Sequence, residues 1–246
     1  MPQVFGKVGR AQPTTVVSDT SQVQQRVTGY GDVITTQLGD NHSALADEGS
    51  YFKACSTPGT AIAGQAFGAG SQTFDTTKPL LTITNGGTAG GKRIFIDYIR
   101  LVINVVGGSA TSAQCAAYIE PNARTLTGGS NVTPVNVNSD STTASICGST
   151  GFRFGAITAA AAVAQRLIVR HNFKWQIPVV GDMFSMDFGE HMSGAAPLTG
   201  ASAQVYPASV GPVAIGGGHS FLFYIWYPAN ATPAFSYDFE VAWWER

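Results

Sequence analysis

The chain has 246 residues, of which 44% are hydrophobic and only 12% are charged, and its formal net charge is −1. The length suits one large β-sandwich, and the charged fraction is about half of the ~25% that is typical of globular domains. No run of Lys and Arg is present to neutralise phosphates, and no stretch approaches about 18 apolar residues. The composition therefore argues against direct nucleic-acid binding and against a membrane span.

The low charge also bears on the surface of the protein. An enzyme that works alone usually keeps a densely charged surface, whereas few charges and 29 Gly residues favour a surface that other chains cover. A secreted β-protein with a neutral polar surface is the alternative. The first fifteen residues contain no apolar segment of the signal-peptide kind, so we expect synthesis in a cytoplasm.

The three cysteines, Cys55, Cys115 and Cys147, are odd in number and widely spaced. This pattern fits neither a disulfide framework nor a zinc site. We expect reduced and mostly buried thiols.

Residues 1–50 are polar and rich in Thr, Gln, Ser and Asp, with isolated apolar residues and no persistent period. Such a segment cannot bury enough apolar area to fold alone. It is either an extended N-terminal arm, with a short helix around residues 43–47, that lies on a neighbouring subunit, or a disordered terminus. In the first case Phe5, Val16 and Val17 are candidate interface residues.

From about residue 50 onward the sequence shows β-strands separated by turns. Alternating or β-branched and aromatic residues predict strands over 79–85, 92–106, 113–120, 145–154, 166–175, 182–188, 220–227 and 235–244. The strand over 92–106 is apolar on both faces in places, as in a central strand covered on both sides. Residues 132–137 form a weak candidate, and residues 159–164 are the only short run of helix formers. Residues 189–219, rich in Gly, Ala, Pro and Ser, predict one long loop.

Two predicted strands have clear faces. Alternation places Leu167, Val169, Phe173 and Trp175 on one face of the strand over 166–175. In the last strand the neighbours Trp243 and Trp244 must point to opposite faces. An outward Trp244 is therefore a candidate interface residue, with a sugar-binding platform as the rival interpretation.

Eight or nine strands with almost no helix predict an all-β fold. A jelly roll is the first choice and another Greek-key β-sandwich the second. We expect an extended N-terminal arm over residues 1–50 and a single sandwich domain over residues 51–246, with a long loop over residues 189–219.

Residues 86–92 read GGTAGGK, which matches most of a phosphate-binding loop. The next residue is Arg93 instead of Ser or Thr, and the segment leads into a predicted strand where the motif requires a helix. We interpret it as a Gly-rich hairpin turn and predict no cofactor.

The four histidines, His42, His171, His191 and His219, lie far apart without metal-ligand spacing, and we predict no metal site. No nucleophile motif is present, so we predict no catalytic residue and no enzyme. A polysaccharide-cleaving sandwich with converging carboxylates is the remaining enzymatic alternative.

Asp97 lies in the apolar strand over 92–106, so an inward side chain would need a partner. We expect an ion pair with Arg100, Arg166 or Arg170.

Four phrases within or at the edge of residues 51–189 stand out, namely SYFKACSTPGTAIAG, GGTAGGKRIFIDYIRL, LTGGSNVTPVNVNSDSTTAS and IPVVGDMFSMDFG. Through these phrases the segment resembles structural proteins of tailed-phage virions. The resemblance implies a virion component, often jelly-roll and often trimeric, and it transfers no functional residue.

Together these observations predict a bacteriophage virion protein that decorates or cements the capsid as a homo-oligomer, expected to be a trimer. Its partners would be copies of itself and other virion proteins such as the major capsid protein. The alternatives are a tail or fibre protein that binds a host glycan through residues 189–219, and a shell-forming capsid protein.

Overall fold

The structure is a computed structural model that describes residues 45–57, 62–63, 74–105, 112–174, 179–189, 205–228 and 235–246. Within these ranges it contains fourteen strands. They are, in chain order, β1 (Tyr51–Cys55), β2 (Ile62–Ala63), β3 (Leu81–Thr84), β4 (Ile94–Val105), β5 (Ser112–Glu120), β6 (Leu126–Asn131), β7 (Val135–Asn136), β8 (Phe152–Ala159), β9 (Arg166–Lys174), β10 (Met183–Phe188), β11 (Val205–Val210), β12 (Val213–Ile215), β13 (Ser220–Trp226) and β14 (Ser236–Glu245).

The strands form two sheets. The first has the order β11-β10-β4-β14-β1-β7, with β12 also paired to β4 and β2 to β14, and the second has the order β6-β8-β3-β13-β5-β9. The described pairs are antiparallel except β10 and β11, which are parallel. This confirms the predicted all-β sandwich.

Eight of these strands follow the jelly-roll path. In chain order they are β1, β3, β4, β5, β9, β10, β13 and β14. Successive strands lie in opposite sheets except β5 and β9, which pair with each other in the second sheet, and the result is β1-β14-β4-β10 opposite β3-β13-β5-β9. The remaining strands extend the edges, with β6 and β8 beside β3 and β7 beside β1. The jelly roll was the first choice from the sequence.

The core lies between the two sheets and is rich in aromatic rings. Phe154 of β8 stacks on Phe239 of β14 with centroids 4.2 Å apart, and Phe152 stacks on Trp243 at 5.9 Å. These pairs join the second sheet to the first. As predicted from alternation, the inward residues of β10 and β14 are buried, together with the residue just before β14, namely Phe184, Met186, Phe188, Phe235, Tyr237, Phe239, Val241 and Trp243.

A bulge in β4 corrects the interpretation of that strand. Ala242 pairs with Tyr98 while the next residue, Trp243, pairs with Ile96, so Asp97 is the extra residue. The bulge moves the alternation by one position, and it lets Ile96 and Ile99 both face the core. Core-facing residues of this strand therefore have even numbers before the bulge and odd numbers after it, and this largely explains why apolar residues occur at both kinds of position.

A second bulge corrects the predicted faces of β9. Ala117 pairs with Val169 and Tyr118 with Leu167, which leaves Ile168 as the extra residue. Val169 is buried, but Leu167 is 51% exposed, contrary to the simple alternation. Phe173 belongs to β9 but its side chain, like Trp175, lies outside the described residues.

The Gly-rich segment over 86–92 is not a hairpin. It connects β3 in the second sheet to β4 in the first, so its ends never pair with each other. The buried Asn85 holds this crossover, since its Nδ2 donates to the carbonyl oxygens of Lys92 and Ile215, both at 3.0 Å. Its Oδ1 accepts from the Gly87 N–H at 2.9 Å.

Several other segments differ from the prediction. The strand expected over 145–154 begins only at Phe152. Of the helix-forming run over 159–164, Ala159 is the last residue of β8 and residues 160–164 form no helix. Residues 121–131, for which no strand was predicted, contain β6, whose Gly128 and Gly129 have φ near +66° at a bulge that only Gly adopts easily. The long loop expected over 189–219 contains β11 and β12, and residues 190–204 lie outside the described ranges.

The compact unit that contains the sandwich begins at Leu45. Residues 45–47 are helical, and Leu45 is buried in a small cluster with Tyr51, Tyr98 and Ala242 on the outer face of the first sheet. Residues 45–50 therefore pack on the sandwich. Residues 1–44, which make up most of the predicted arm, lie outside the described residues.

Candidate assembly surface

The outer face of the first sheet carries an unusual concentration of charged and aromatic side chains. Strand register places them in cross-strand rows, because residues opposite each other on one face of a sheet are neighbours. We call this surface the charged–aromatic face, and it consists of Tyr51, Lys53, Phe95, Asp97, Tyr98, Arg100, Asp187, Glu240 and Trp244.

The centre of the face is the ring of Tyr98. The Lys53 ammonium lies 5.6 Å and the Arg100 guanidinium carbon 4.1 Å from the ring centroid, both in cation–π range. Lys53 Nζ donates to Glu240 Oε1 at 2.7 Å, and the Tyr98 hydroxyl donates to the same oxygen. One carboxylate thus ties three strands together through their side chains.

These contacts fix the charge state of the cluster. Burial acts to raise the pKa of Glu240, but hydrogen bonds from Lys53 and Tyr98 outweigh it and the pKa is lowered. Burial acts to lower the pKa of Lys53, but the hydrogen bonds to Glu240 and Tyr98 raise it to about 12. Lys53 and Glu240 therefore stay charged at neutral pH. Their side chains remain 33% and 35% exposed, so the pair itself adds little stability.

Asp97 lies in this face, is 7% exposed and accepts a hydrogen bond from the Tyr51 hydroxyl. Of its three expected ion-pair partners, Arg100 belongs to the same face, whereas Arg166 and Arg170 do not. Those two arginines belong to β9 of the other sheet. The bulge at Asp97 turns its carboxylate toward Tyr51 on the outer side of the sheet.

A second acid of the face, Asp187, has its pKa shifted in the opposite direction from that of Glu240. Burial raises the pKa of Asp187, and the nearby Asp97 adds to this, while Arg100 and Ser185 act in the opposite direction.

The aromatic end of the face contains the predicted interface residue Trp244. Trp244 is partly exposed and stacks on Phe95 with centroids 5.9 Å apart and an interplanar angle of 10°. It packs against the cluster of Leu45 and Tyr98, while its neighbour Trp243 is fully buried in the core. The predicted division of the two tryptophans is confirmed.

The other three predicted interface residues, Phe5, Val16 and Val17, lie outside the described residues. Their role stays a prediction.

The outer face of the second sheet differs, because the chain itself covers much of it. Phe74 packs on Tyr118, Tyr224 and Trp226 with centroids 5.0–5.5 Å apart. The Tyr224 hydroxyl donates to the Thr76 carbonyl at 2.9 Å, and Tyr224 is fully buried. Most of this aromatic surface therefore stabilises the domain.

The described His, Cys, Asp and Glu side chains are dispersed over the sandwich and do not gather at one site. In the part of the chain that the structure describes, no three His, Cys, Asp or Glu side chains converge on a metal-sized site, and His42 and His191 lie outside that part. Burial raises the pKa of both Cys115 and Cys147 to about 12, which makes them poor nucleophiles.

The remaining thiol, Cys55, is exposed, and all three cysteines are unbridged. Two of the three thiols are thus buried, as expected. Among the described residues no helix is long and apolar enough to cross a membrane.

The chain matches no protein-family model, no curated protein and no solved structure. Its function has to be argued from the geometry above.

Sequence reasoning found Trp244 but missed the charged cluster around Tyr98. Lys53, Arg100 and Glu240 are far apart in the chain, and only strand register brings them together. The sequence did contain one indication of this face, namely the outward-pointing positions of β14, which include Glu240 and Trp244. A cluster of aromatics and paired charges on a sheet face can bind another protein surface, since aromatics and Arg are enriched in the centres of interfaces.

Proposed function

We propose that this chain is a structural protein of a virus particle that works by assembling with copies of itself, as a capsid decoration or cement component. The expected homo-oligomer is a trimer, and its further partners are other virion proteins such as the major capsid protein. The work it does is the burial of surface between subunits, without a cofactor.

The observation that carries the proposal is the charged–aromatic face. Trp244 and Phe95 present a stacked aromatic pair beside the Lys53–Glu240–Arg100 cluster, in which the charged groups already have partners within the chain. Covering such a face costs less than covering isolated charges, because pairing offsets part of their desolvation. The charged–aromatic face is therefore suited to being buried against a partner.

Two further features support the same proposal. The jelly roll recurs in viral capsid proteins, although it also occurs in lectins and other binding proteins, so the fold alone is an analogy. The chain also has only 12% charged residues, which favours surfaces that become covered.

The glycan-binding alternative depended on a long loop over 189–219. Strands β11 and β12 occupy residues 205–215 of that segment, so the described part is built into a sheet edge. This weakens the reason for preferring a loop-based binding site. The shell-forming alternative predicts a much larger particle, and the mass measurement described below distinguishes it from a trimer.

The test is the solution mass of the full-length chain by light scattering after size exclusion. One chain has a mass of 25.7 kDa, so a trimer would have about three times that mass, near 77 kDa. We expect a discrete oligomer of this kind. A species of many hundreds of kilodaltons would indicate a shell, and a monomer at every concentration would refute self-assembly.

The variant Trp244→Ala tests the face itself. A central interface aromatic contributes at least about 2 kcal/mol, so we expect roughly 30-fold weaker association. The matched control is Val180→Ala, which trims a residue that is 60% exposed and outside the face. Circular dichroism should show both variants folded, and equal association of the two would show that the face is not an interface.

A further inference from the structure

One end of the first sheet presents basic and acidic side chains beside each other. The strands β4 and β1 begin at this end, and β14 and β7 end there. Beyond the strand ends lie exposed charged residues, three basic and three acidic, namely Lys92, Arg93, Arg246, Asp47, Glu48 and Asp140. We call this surface the charged rim.

Backbone pairing fixes the basic half of the charged rim. The N–H groups of Arg93 and Arg246 each donate to the other's carbonyl oxygen, at 2.5 and 3.1 Å, so the start of β4 and the end of β14 are neighbours. The acid next to Arg246 in the chain is Glu245, whose buried carboxylate accepts hydrogen bonds from Ser145 and Trp243. That carboxylate is therefore not part of the exposed surface.

Two asparagine side chains fix the acidic half. Asn138 Nδ2 donates to the Asp47 carbonyl oxygen at 2.9 Å, and Asn136 Nδ2 donates to the Gly49 carbonyl oxygen at 2.8 Å. These bonds hold the segment before β1 against the turn after β7, which contains Asp140. The acidic half thus belongs to the edge of the first sheet where β1 and β7 are neighbours.

The two halves are neighbours that do not pair within the chain. The strand order β4-β14-β1-β7 and a strand spacing of ~4.8 Å separate them by about 10–14 Å along the sheet. In the described part of the chain, none of the six side chains of the charged rim takes part in an ion pair. Both halves can therefore pair with charges on another surface.

The residues around the charged rim allow another surface to come close. The Gly-rich segment over 86–91, which joins β3 to β4, is exposed at five of its six residues and has no side chain larger than Thr88. Backbone with small side chains permits close approach. On the acidic side Val137 is 38% exposed and offers apolar surface for a partner to cover.

We propose that two copies of this chain meet end to end at the charged rim, with the basic half of each copy opposite the acidic half of the other. This inference rests on the proposed function and specifies one contact by which the copies join. Because both halves lie at the same end of the sheet, a two-fold rotation pairs them twice in one interface. The charged rim has equal numbers of both signs, so a uniformly acidic or basic partner would be repelled by one half, whereas a second copy fits both.

The strength of this contact should depend on salt. Each exposed ion pair contributes little by itself, so the contact needs several pairs at once and is expected to be weak. The screening length falls from ~10 Å at 0.1 M salt to ~3 Å at 1 M salt. High salt should therefore separate the copies at the charged rim.

The first test is the solution mass of the full-length chain at two salt concentrations, by light scattering after size exclusion. Two trimers joined end to end would have six times the mass of one 25.7 kDa chain, about 154 kDa, against about 77 kDa for one trimer. We expect the doubled mass at ~0.1 M salt and the single trimer at ~1 M salt.

Charge reversal identifies the surface. Lys92→Glu with Arg93→Glu makes the charged rim mostly acidic, and Asp47→Lys with Glu48→Lys makes it mostly basic. We expect each variant alone to lose the doubled mass, with association between trimers at least about tenfold weaker, because like charges then meet. An equimolar mixture of the two variants should regain the doubled mass, because an acidic rim then meets a basic one.

The matched control carries Lys78→Glu with Arg170→Glu, the same change in net charge at two positions outside the charged rim. It should keep the doubled mass at low salt. Circular dichroism should show all three variants folded. A control that loses the doubled mass as the rim variants do would assign the effect to net charge and overturn the proposed contact.

Failure of this inference differs from failure of the proposed function. A mass of about 77 kDa at both salt concentrations, or rim variants that keep the doubled mass, would overturn the end-to-end contact and leave self-assembly standing. A monomer of 25.7 kDa under all conditions would remove both proposals. A mass of twice 25.7 kDa, near 51 kDa, at low salt only would support the end-to-end contact and overturn the trimer.

Discussion

A buried carboxylate near the end of β14 shows how single residues hold this sandwich together. Glu245 is 2% exposed and accepts hydrogen bonds from the Ser145 hydroxyl, from the Trp243 indole N–H at 3.1 Å and from the Ile146 N–H at 3.0 Å. The Ser145 hydroxyl oxygen in turn accepts from the Cys147 N–H at 3.1 Å. The carboxylate thus ties the connection between β7 and β8 to the first sheet.

We expect Glu245→Gln to destabilise the domain by about 1–3 kcal/mol, because the amide nitrogen would face a donor and leave a buried group unpaired. The measurement is the free energy of unfolding in urea. The isosteric control is Glu48→Gln at an exposed position, which should stay within about 0.5 kcal/mol of the parent. Equal stability of the two variants would show that the Glu245 hydrogen bonds are dispensable.

At the scale of elements, two loops meet at one end of the sandwich and fit only because one residue has no side chain. A Cβ on Gly217, between β12 and β13, would lie 2.0 Å from the carbonyl oxygen of Thr88, between β3 and β4. Asn85 binds both connections at the same place, since its backbone N–H donates to the His219 carbonyl at 3.0 Å. The close packing of these two loops thus depends on Gly217.

The variant Gly217→Ala should therefore be destabilised by about 1–3 kcal/mol, since the contact is with backbone that cannot rotate away. The loop residue Gly211 has open space around its Cβ position and no positive φ, so Gly211→Ala is the matched control and should be neutral or slightly stabilising. Thermal unfolding of both variants measures the difference, and a neutral Gly217→Ala would show that the loops can separate at little cost.

Strands with a strong hydrophobic pattern could be predicted from the sequence, whereas strands that form mainly because a neighbouring strand pairs with them could not. The strands β4, β10, β13 and β14 stand out because each has several bulky apolar residues. The strand β11 does not, since Pro207 and small residues suit an edge strand that one neighbour holds in place. The residues of β11 by themselves therefore give little indication that they form a strand.

Bulges likewise limited the prediction of which face of a strand each side chain occupies. The extra residues Asp97 and Ile168 change the alternation within β4 and β9, and their positions are set by the partner strands. Leu167 was thus assigned to the wrong face. Trp244 was assigned correctly because no bulge separates it from its neighbour Trp243.

For the molecule as a whole, the two sheets present different surfaces. The chain itself covers much of the outer face of the second sheet through Phe74 and the residues after it, whereas Lys53 and Glu240 of the charged–aromatic face stay about one-third exposed and Trp244 is partly exposed. A subunit with such a sheet face can make a contact there, as an assembly needs.

Assembly of this kind makes thermal stability depend on protein concentration, because the folded state is an oligomer and the unfolded state is not. With an unfolding enthalpy of about 0.7 kcal/mol per residue, a chain of this length has about 170 kcal/mol, and a trimer should gain about 2 °C in Tm for each tenfold rise in concentration. Differential scanning calorimetry over a hundredfold range should show this in the parent. In Trp244→Ala the dependence should begin only at higher concentration, while Val180→Ala should follow the parent. A Tm that is the same at every concentration in all three proteins would show that folding and association are independent, and self-assembly would then have to be weak or absent.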